Sequence, residues 1–182
     1  GGSSIYVIDV SDPYAPIQIA TVSLADSIRS IYVSGRYTYA VGGSSIYVID
    51  ISNPAAPVQV GTVSTGSGSY SVYVSGRYAY VANDNLAIVD ISSSTAPVLV
   101  ATAAAGYQPN DVFVSGRYAY VANFGDATVS IIDISGTEVT SLMAHSAEVG
   151  NLQSRNDIFA QGNIMAGTSL IVGAGGIMSQ GS

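Results

Sequence analysis

The ten residues VSGRYAYVAN occur twice without change, at positions 74–83 and 114–123, and a near copy, VSGRYTYAVG, occupies positions 33–42. A catalytic constellation is assembled once from unlike parts, whereas a repeated scaffold needs the same turn in every copy. Repetition at a fixed period is the sequence signature of repeat architectures. We therefore interpret these copies first as a repeated structural unit of the fold.

Three markers define the repeating unit and recur in the same order along the chain. The serine that begins SGRY recurs at Ser34, Ser75 and Ser115. An aspartate that closes an apolar run recurs with nearly the same spacing, at Asp9, Asp50, Asp90 and Asp133. A proline loop follows the first three aspartates as SDPYAP, SNPAAP and SSSTAP, whereas SGTEVT follows the last. Terminal copies in repeat proteins are often atypical in this way.

The composition of each unit predicts an all-β fold. Short runs of Val, Ile, Tyr and Thr are separated by Gly, Ser, Asn, Asp and Pro, which is the pattern of strands joined by tight turns. Four such strands fit into about 40 residues, the size of one β-propeller blade. In SIYVIDIS both alternating sets of side chains are apolar, so both faces of the strand require burial. Stacked blades provide that burial, and Tyr39, Tyr80 and Tyr120 are expected to pack between them.

These markers resemble the LVIVD-repeat family of β-propellers. The resemblance is carried by VYVSGRYAYVANDNLAIVDISSSTAPVLVAT at positions 72–102 and by matching stretches in the neighbouring units. It defines a first predicted domain at residues 1–143. The resemblance implies a propeller fold and a location outside the cytoplasm, and it brings no catalytic motif with it.

The predicted blades do not add up to a closed ring. If the innermost strands begin near residues 29, 70 and 110, the chain holds about three and a half blades, whereas propellers usually close with about 4 to 8. We expect this sequence to be the C-terminal part of a longer protein. The alternative is a ring completed by other subunits.

The sequence changes character after Met143. Residues 144–182 lose tyrosine and form a second predicted domain, a Gly- and Asn-rich shaft with apolar residues at intervals of six or seven, namely Leu152, Ile158, Ile164, Leu170 and Ile177. The phrase NDIFAQGNIMAG resembles the trimeric β-prism shafts of phage tail fibres and related surface fibres. That resemblance covers this segment alone and implies a homotrimer formed through it. A single-chain hexapeptide β-helix remains the alternative, because periods near six serve both folds.

The number and type of charged residues limit the classes of molecule that this chain can bind. The chain has five Arg, no Lys and twelve acidic residues, for a net charge of −7 at pH 7. Such a chain lacks the basic surface that binds nucleic acid or an anionic membrane. No apolar run reaches the roughly 20 residues of a membrane span. Cysteine is absent, so disulfides and Cys-based metal sites are excluded.

The repeated aspartates are the first candidate site. Asp9, Asp50, Asp90 and Asp133 each lie at the end of a strand before a Ser-containing turn, where a carboxylate can accept backbone N–H groups. We interpret them as structural turn residues rather than as Ca²⁺ ligands or acid–base catalysts. The Arg36, Arg77 and Arg117 side chains are expected to be solvated or paired locally.

The residues that precede the innermost strand are the second candidate site. They read SIRS, GSYS and QPND in successive units, whereas the strands that follow are nearly identical. Loops on a rigid scaffold commonly carry recognition. The predicted ligand-binding residues are Arg29, Tyr70, Asn110 and Asp111, and ordinary variation of exposed loops is the alternative.

No enzymatic activity is expected. His145 is the only histidine, and no serine has an evident base, so we predict neither catalytic residues, nor a cofactor, nor a metal. The predicted function is that of a structural or adhesive fibre component at the cell surface, outside the cell or on a virion. A propeller head that binds a glycan or a surface protein is the alternative, and a propeller enzyme acting on polysaccharide is a third possibility.

Overall fold

The computed structural model describes residues 3–135, which form thirteen β-strands and no helix. The first sheet contains β1 (Ser4–Asp9) and β2 (Ile17–Ser23). The second contains β3 (Ile28–Ser34), β4 (Tyr37–Gly42), β5 (Ser45–Asp50) and β6 (Val58–Ser64). The third contains β7 (Ser71–Ser75), β8 (Tyr78–Ala82), β9 (Leu86–Asp90) and β10 (Val98–Ala103). The fourth contains β11 (Pro109–Ser115), β12 (Tyr118–Asn123) and β13 (Thr128–Asp133). The prediction of an all-β fold is therefore confirmed.

Each sheet is an antiparallel meander in which strands follow one another in chain order. The repeated SGR element forms the tight turn between the first two strands of the second, third and fourth sheets. Its glycine has a positive φ in every copy, at Gly35, Gly76 and Gly116. Only glycine adopts this conformation without steric cost, which explains why every copy of the turn has glycine at this position. The predicted four strands are present in the second and third sheets, whereas the described part of the fourth has three.

The sheets stack face to face in chain order. β7 packs against both β3 and β11, so the first strands of the three larger sheets lie side by side. One apolar cluster joins Val41 and Val48 of the second sheet to Val72 and Val74 of the third. A second cluster joins Tyr80 and other residues of the third sheet to the fourth sheet. Both faces of the third sheet are therefore buried, as the two apolar faces of its strands require.

An aromatic row runs across the three adjacent first strands. The ring centroids of Tyr32 and Tyr73 are 5.0 Å apart, and those of Tyr73 and Phe113 are also 5.0 Å apart. The rings are tilted or edge-on rather than parallel, which is the favoured geometry of aromatic pairs. The same position of each repeat thus contributes one ring to a continuous contact.

The outermost faces of the stack remain exposed. Val33 in β3 is 55% exposed, whereas its counterpart Val74 in β7 is 6% exposed, because only β7 has a complete sheet in front of it. Val129 and Ile131 on the fourth sheet are also exposed. Equivalent residues thus differ in burial according to whether a neighbouring sheet covers them.

Two predictions remain, one about the C-terminal shaft and one about membrane-spanning segments. The predicted shaft at 144–182, with its oligomerisation residues, lies outside the described residues and stays a prediction. Residues 3–135 contain no helix of the length and apolar character needed to cross a membrane.

Candidate ligand-binding site at the inner-strand entrances

The loops that lead into β3, β7 and β11 lie together because these three strands are neighbours. Arg29, Tyr70 and Asn110 occupy the same position in their repeats, five residues before the serine of SGRY. The guanidinium carbon of Arg29 lies 4.2 Å from the centroid of the Tyr70 ring, a cation–π contact between adjacent sheets. The structure therefore brings the first two predicted binding residues into direct contact.

Asp111 has a different environment from the other predicted binding residues. The Ser71 hydroxyl donates a hydrogen bond of 2.6 Å to its Oδ1 atom, and the Val112 amide donates one of 2.9 Å to the same atom. At the preceding junction the Val72 amide donates to the Ser30 hydroxyl oxygen over 3.4 Å. Asp111 thus links the third and fourth sheets, and its carboxylate is partly occupied by protein donors.

A shallow cavity lies beside the Arg29–Tyr70 contact. Its volume is about 320 Å³, and its lining consists of two aromatic side chains, two amide side chains and a proline, namely Tyr70, Phe124, Gln108, Asn110 and Pro109. Phe124 is 77% exposed, and Pro109 is buried beneath the cavity rim. The site therefore offers apolar ring faces next to groups that can both donate and accept hydrogen bonds.

Hydrogen bonds between the loop before β11 and the turn after β12 connect the backbone around this cavity. The Phe124 amide donates to the Gln108 carbonyl over 2.9 Å, and the Gly125 amide donates to the Tyr107 carbonyl over 3.0 Å. The Tyr107 amide donates to Asp126 Oδ2 over 3.0 Å, and this bond lowers the pKa of the Asp126 carboxyl. Gln108 has a φ of 54°, in the left-handed region that non-glycine residues rarely adopt. The left-handed residue and these hydrogen bonds together define the path of the backbone beside the cavity.

The aromatic side chain of Phe124 is particular to the third copy of the repeat. Phe124 stands nine residues after the SGRY serine, where the two preceding copies have Gly43 and Asp84. Asp84 instead accepts a hydrogen bond from the Ser67 hydroxyl of its own leading loop. In the first copy, Asp26 of the leading loop accepts a hydrogen bond of 2.9 Å from the Tyr47 hydroxyl. In the first two copies, side-chain hydrogen bonds of Asp26 and Asp84 thus lie in the region where the third copy has an exposed aromatic ring.

The four repeated aspartates each accept a hydrogen bond from the backbone amide two residues later, at Ser11, Ser52, Ser92 and Ser135. Three of them also accept a hydrogen bond from the arginine of the SGR turn, in the pairs Arg36–Asp50, Arg77–Asp90 and Arg117–Asp133. The arginine and then the serine lower the pKa of both Asp50 and Asp90 to about 2. The arginine and the serine also lower the pKa of Asp133. The pKa of Asp9 is lowered chiefly by its backbone hydrogen bond with Ser11.

The repeated tyrosines follow the stacking of the sheets. Tyr39 and Tyr80 are buried between sheets, and burial raises the pKa of both phenols. Tyr120, the same position of the last repeat, is 37% exposed. Within residues 3–135, no group of three or more His, Cys, Asp or Glu side chains is placed to hold a metal ion.

Sequence reasoning misses Gln108, Pro109 and Phe124 as cavity residues. Gln108 and Pro109 lie within QPND, a stretch that already differs between copies. Phe124 follows immediately after an exact repeat, and its replacement of the small or acidic residue found elsewhere is the available signal. Its position beside Tyr70, which belongs to the preceding repeat, depends on the stacking of the sheets.

Stacked four-stranded antiparallel meanders with their first strands side by side define a β-propeller-like protein. LVIVD repeats match residues 27–65, 67–104 and 108–144, which together make up more than half of the chain. The chain therefore belongs to the LVIVD-repeat family, as the resemblance of its markers predicts. Comparison with curated proteins gives no match.

Three solved structures have a similar fold. A protein from Lactobacillus plantarum is 18% identical with a TM-score of 0.58, and the match covers 73% of this chain and 49% of that protein. A chain of the mitotic checkpoint complex is 18% identical with a TM-score of 0.54, covering 63% of this chain and 39% of that one. BamB from Moraxella catarrhalis is 20% identical with a TM-score of 0.50, covering 66% and 38%. The chain thus spans about half or less of the length of these structures, and the likeness concerns the fold alone.

Proposed function

We propose that this chain is a non-enzymatic adhesive component of an extracellular or virion fibre, whose propeller repeats bind a glycan at the inner-strand entrances. The observation that carries the proposal is the cavity between Tyr70 and Phe124, with the Gln108 and Asn110 amides on its rim. Binding sites of this kind combine apolar surfaces with a few polar groups that fix the orientation of the ligand. Recognition on loops of a rigid scaffold fits the same interpretation.

The chemistry of the cavity suits a sugar ring. A pyranose has one face of C–H groups, which can pack on an aromatic ring, and hydroxyl groups around its edge. The amides of Gln108 and Asn110 can donate to and accept from those hydroxyls. Asp84 and Asp126 lie in the turns that follow β8 and β12, Asp111 lies in β11, and the chain has a net charge of −7. Since like charges repel, we expect a neutral glycan rather than a sulfated or sialylated one.

A glycan array followed by calorimetry tests this proposal on the full chain. We expect binding to neutral glycans, and Phe124→Ala should weaken that binding about tenfold or more by removing a stacking face. Tyr14→Ala is the matched control, because Tyr14 is also an exposed aromatic residue but does not line the cavity. Equal losses in the two variants, or no binding to any glycan on the array, would contradict the proposal.

The fibre part of the proposal concerns the C-terminal segment. We propose that three chains associate through the shaft at 144–182, because Leu152, Ile158, Ile164 and Leu170 recur at a regular interval of six. Each buried Ile or Leu would contribute about 1.5–3 kcal/mol to such an assembly. Sedimentation equilibrium should give a trimer for the full chain and smaller species for Ile164→Asp, which places a charge in an apolar layer. Asn163→Asp is the adjacent control, and a monomeric full chain would refute the trimer.

A further inference from the structure

Two tyrosine rings meet where the second sheet packs against the third. Tyr32 of β3 and Tyr73 of β7 occupy the same position in their repeats, two residues before the serine of SGRY. Their ring centroids are 5.0 Å apart, and the ring planes are inclined by 56°. Both side chains are half-buried, so the sheets hold the rings in place while part of each ring remains accessible from solvent.

The phenol groups of this pair also lie near each other. Burial raises the pKa of the Tyr32 phenol, and interaction with the Tyr73 phenol raises it further. The Tyr32 phenol therefore keeps its proton at neutral pH and releases it only when the ring loses an electron. Because the two phenols are neighbours, the ring carbons beside the hydroxyl groups are the atoms through which the rings can join.

The composition of the chain directs one-electron oxidation to tyrosine. The chain has thirteen tyrosines, no tryptophan and no cysteine, so tyrosine is the side chain that most readily gives up a single electron. The absence of cysteine and of lysine also means that neither a disulfide nor a lysine-derived cross-link can join two sheets of this chain. A bond between two tyrosines is the covalent link that its side chains can supply.

We propose that Tyr32 and Tyr73 are an oxidative cross-linking site, at which a dityrosine bond joins β3 to β7. The oxidant is hydrogen peroxide activated by a haem peroxidase. Each phenol loses one electron and one proton, and the two radicals form one carbon–carbon bond beside their hydroxyl groups. The hydrogen on each bonded carbon then moves to the phenol oxygen. The pair has lost two hydrogen atoms in total, and the peroxide that accepts them becomes two water molecules.

The geometry restricts the cross-link to this one junction. The centroid of Phe113 is also 5.0 Å from that of Tyr73, but a phenylalanine ring has no hydroxyl group from which to form the radical. Tyr39 lies opposite Tyr32 in the neighbouring strand, but it is buried and shielded from an external oxidant. Two radicals held in contact react without diffusion, which gives Tyr32 and Tyr73 an advantage over tyrosines that must meet between molecules.

The test treats the full chain, at low protein concentration, with hydrogen peroxide and a haem peroxidase. Dityrosine fluorescence measures the yield, and mass spectrometry after trypsin digestion locates the bond. Trypsin cuts after arginine, so Tyr32 is the only tyrosine in the peptide 30–36, while Tyr73 lies in the peptide 37–77. We expect these two peptides to be joined, with a combined mass lower by two hydrogen atoms, and fragmentation to place the bond at Tyr73.

Conservative variants separate this site from general oxidation of tyrosine. Tyr32→Phe and Tyr73→Phe keep the ring and its packing, and each should lower the yield within one chain about tenfold or more. Tyr14→Phe is the matched control, because Tyr14 is exposed and makes no ring contact within residues 3–135, and it should leave that yield unchanged. Unfolding curves recorded before oxidation check that all three variants fold.

A gain of reactivity provides a second, independent test. Phe113→Tyr places a phenol on the other side of Tyr73, at a half-exposed position that has room for a hydroxyl group. It should produce a competing bond from Tyr73 to position 113, which joins the peptides 37–77 and 78–117. In the parent chain the bond between Tyr32 and Tyr73 should raise the melting temperature, because it restricts the unfolded chain as a disulfide does.

Three results would overturn the proposal. One is oxidation of the full chain without a bond between Tyr32 and Tyr73, including a bond from Tyr32 to Tyr39 in its place. Another is a yield that rises with protein concentration, which would assign the bond to two different chains. The third is a cross-linked chain that melts below the unmodified chain, which would show that the bond forms only when the packing of the sheets is distorted.

Discussion

β1 and β5 have the same sequence and different surroundings. Each pairs with the strand that follows it in the same register, with an irregularity after Val7 in β1 and after Val48 in β5. Their burial differs sharply, because Ile8 is 53% exposed and its counterpart Ile49 is 1% exposed. The local hairpin geometry is therefore a property of the sequence, while burial depends on which strands and sheets lie next to it.

The comparison also separates two kinds of contact. The turn hydrogen bond from the serine amide is present at both Asp9 and Asp50, since it requires only residues two positions apart. Within residues 3–135 the arginine pair is present at Asp50 and not at Asp9, because it requires a neighbouring SGR turn. Among the described residues, the short-range contacts are thus present in both copies, whereas strand pairing on both edges is present at β5 alone.

The largest expected difference between the copies is in the stability effect of their isoleucines. Ile49→Ala should lower the free energy of unfolding by about 2–5 kcal/mol, because it removes a buried side chain and leaves a cavity. Ile8→Ala should change it by no more than about 0.5 kcal/mol, since the side chain is exposed. Urea denaturation of the two single variants measures the difference.

Tyr47→Phe and Tyr6→Phe provide the control for that pair. Tyr47 donates a hydrogen bond to Asp26, whereas Tyr6 is exposed, so only the first should be destabilising, and by less than Ile49→Ala. If Ile8→Ala were as harmful as Ile49→Ala, the contrast between the two strands would be wrong.

A smaller difference is expected in the response to acid. The pKa of Asp50 is about 2 in the folded protein, below the ordinary value of 3.8, so its contacts stabilise the fold above about pH 4. That contribution is lost as the pH falls from about 4 to about 2. Asp50→Asn should therefore flatten the pH dependence of stability in this range. Asp9→Asn should flatten it less, because no arginine pairs with Asp9 within residues 3–135.

Urea midpoints measured from neutral pH down to the folded-state pKa of Asp50 test this prediction. Because the Asp50 and Arg36 side chains are partly exposed, the difference should shrink as salt is added. Asp12→Asn controls for the loss of one negative charge in the same type of loop. Identical pH profiles for Asp9→Asn and Asp50→Asn would show that the arginine contributes nothing to the pH dependence of stability.

The repeated part of the fold could be predicted from the sequence, because it depends on local rules applied several times. The SGR turns follow from glycine at a position with positive φ, and the stacked sheets follow from strands with two apolar faces. The alignment of Arg29 and Tyr70 also follows from the period of the repeat. Their stacking contact could not be predicted, because it depends on the angle between neighbouring sheets.

The cavity is only partly predictable for a related reason. Tyr70 and Asn110 stand out in the sequence because the copies differ there, and both line the cavity. Phe124 and Gln108 also differ from their counterparts, but their positions in the cavity could not be predicted, since these depend on a left-handed residue and on hydrogen bonds between two loops. Deviations from a repeat indicate where to look, whereas the contacts across sheets decide which deviations form a site.

The duplicated GGSSIYVID sequence also creates a competition while the chain folds. β1 and β5 present the same side chains to the edge of β4, so either could pair with it first. Only the short turn at positions 43 and 44 separates β4 from β5, whereas β2, β3 and their loops all lie between β1 and β4. Because the entropic cost of closing a loop grows with its length, chain entropy directs β4 to β5. Lengthening the short turn between β4 and β5 should therefore weaken the preference of β4 for β5.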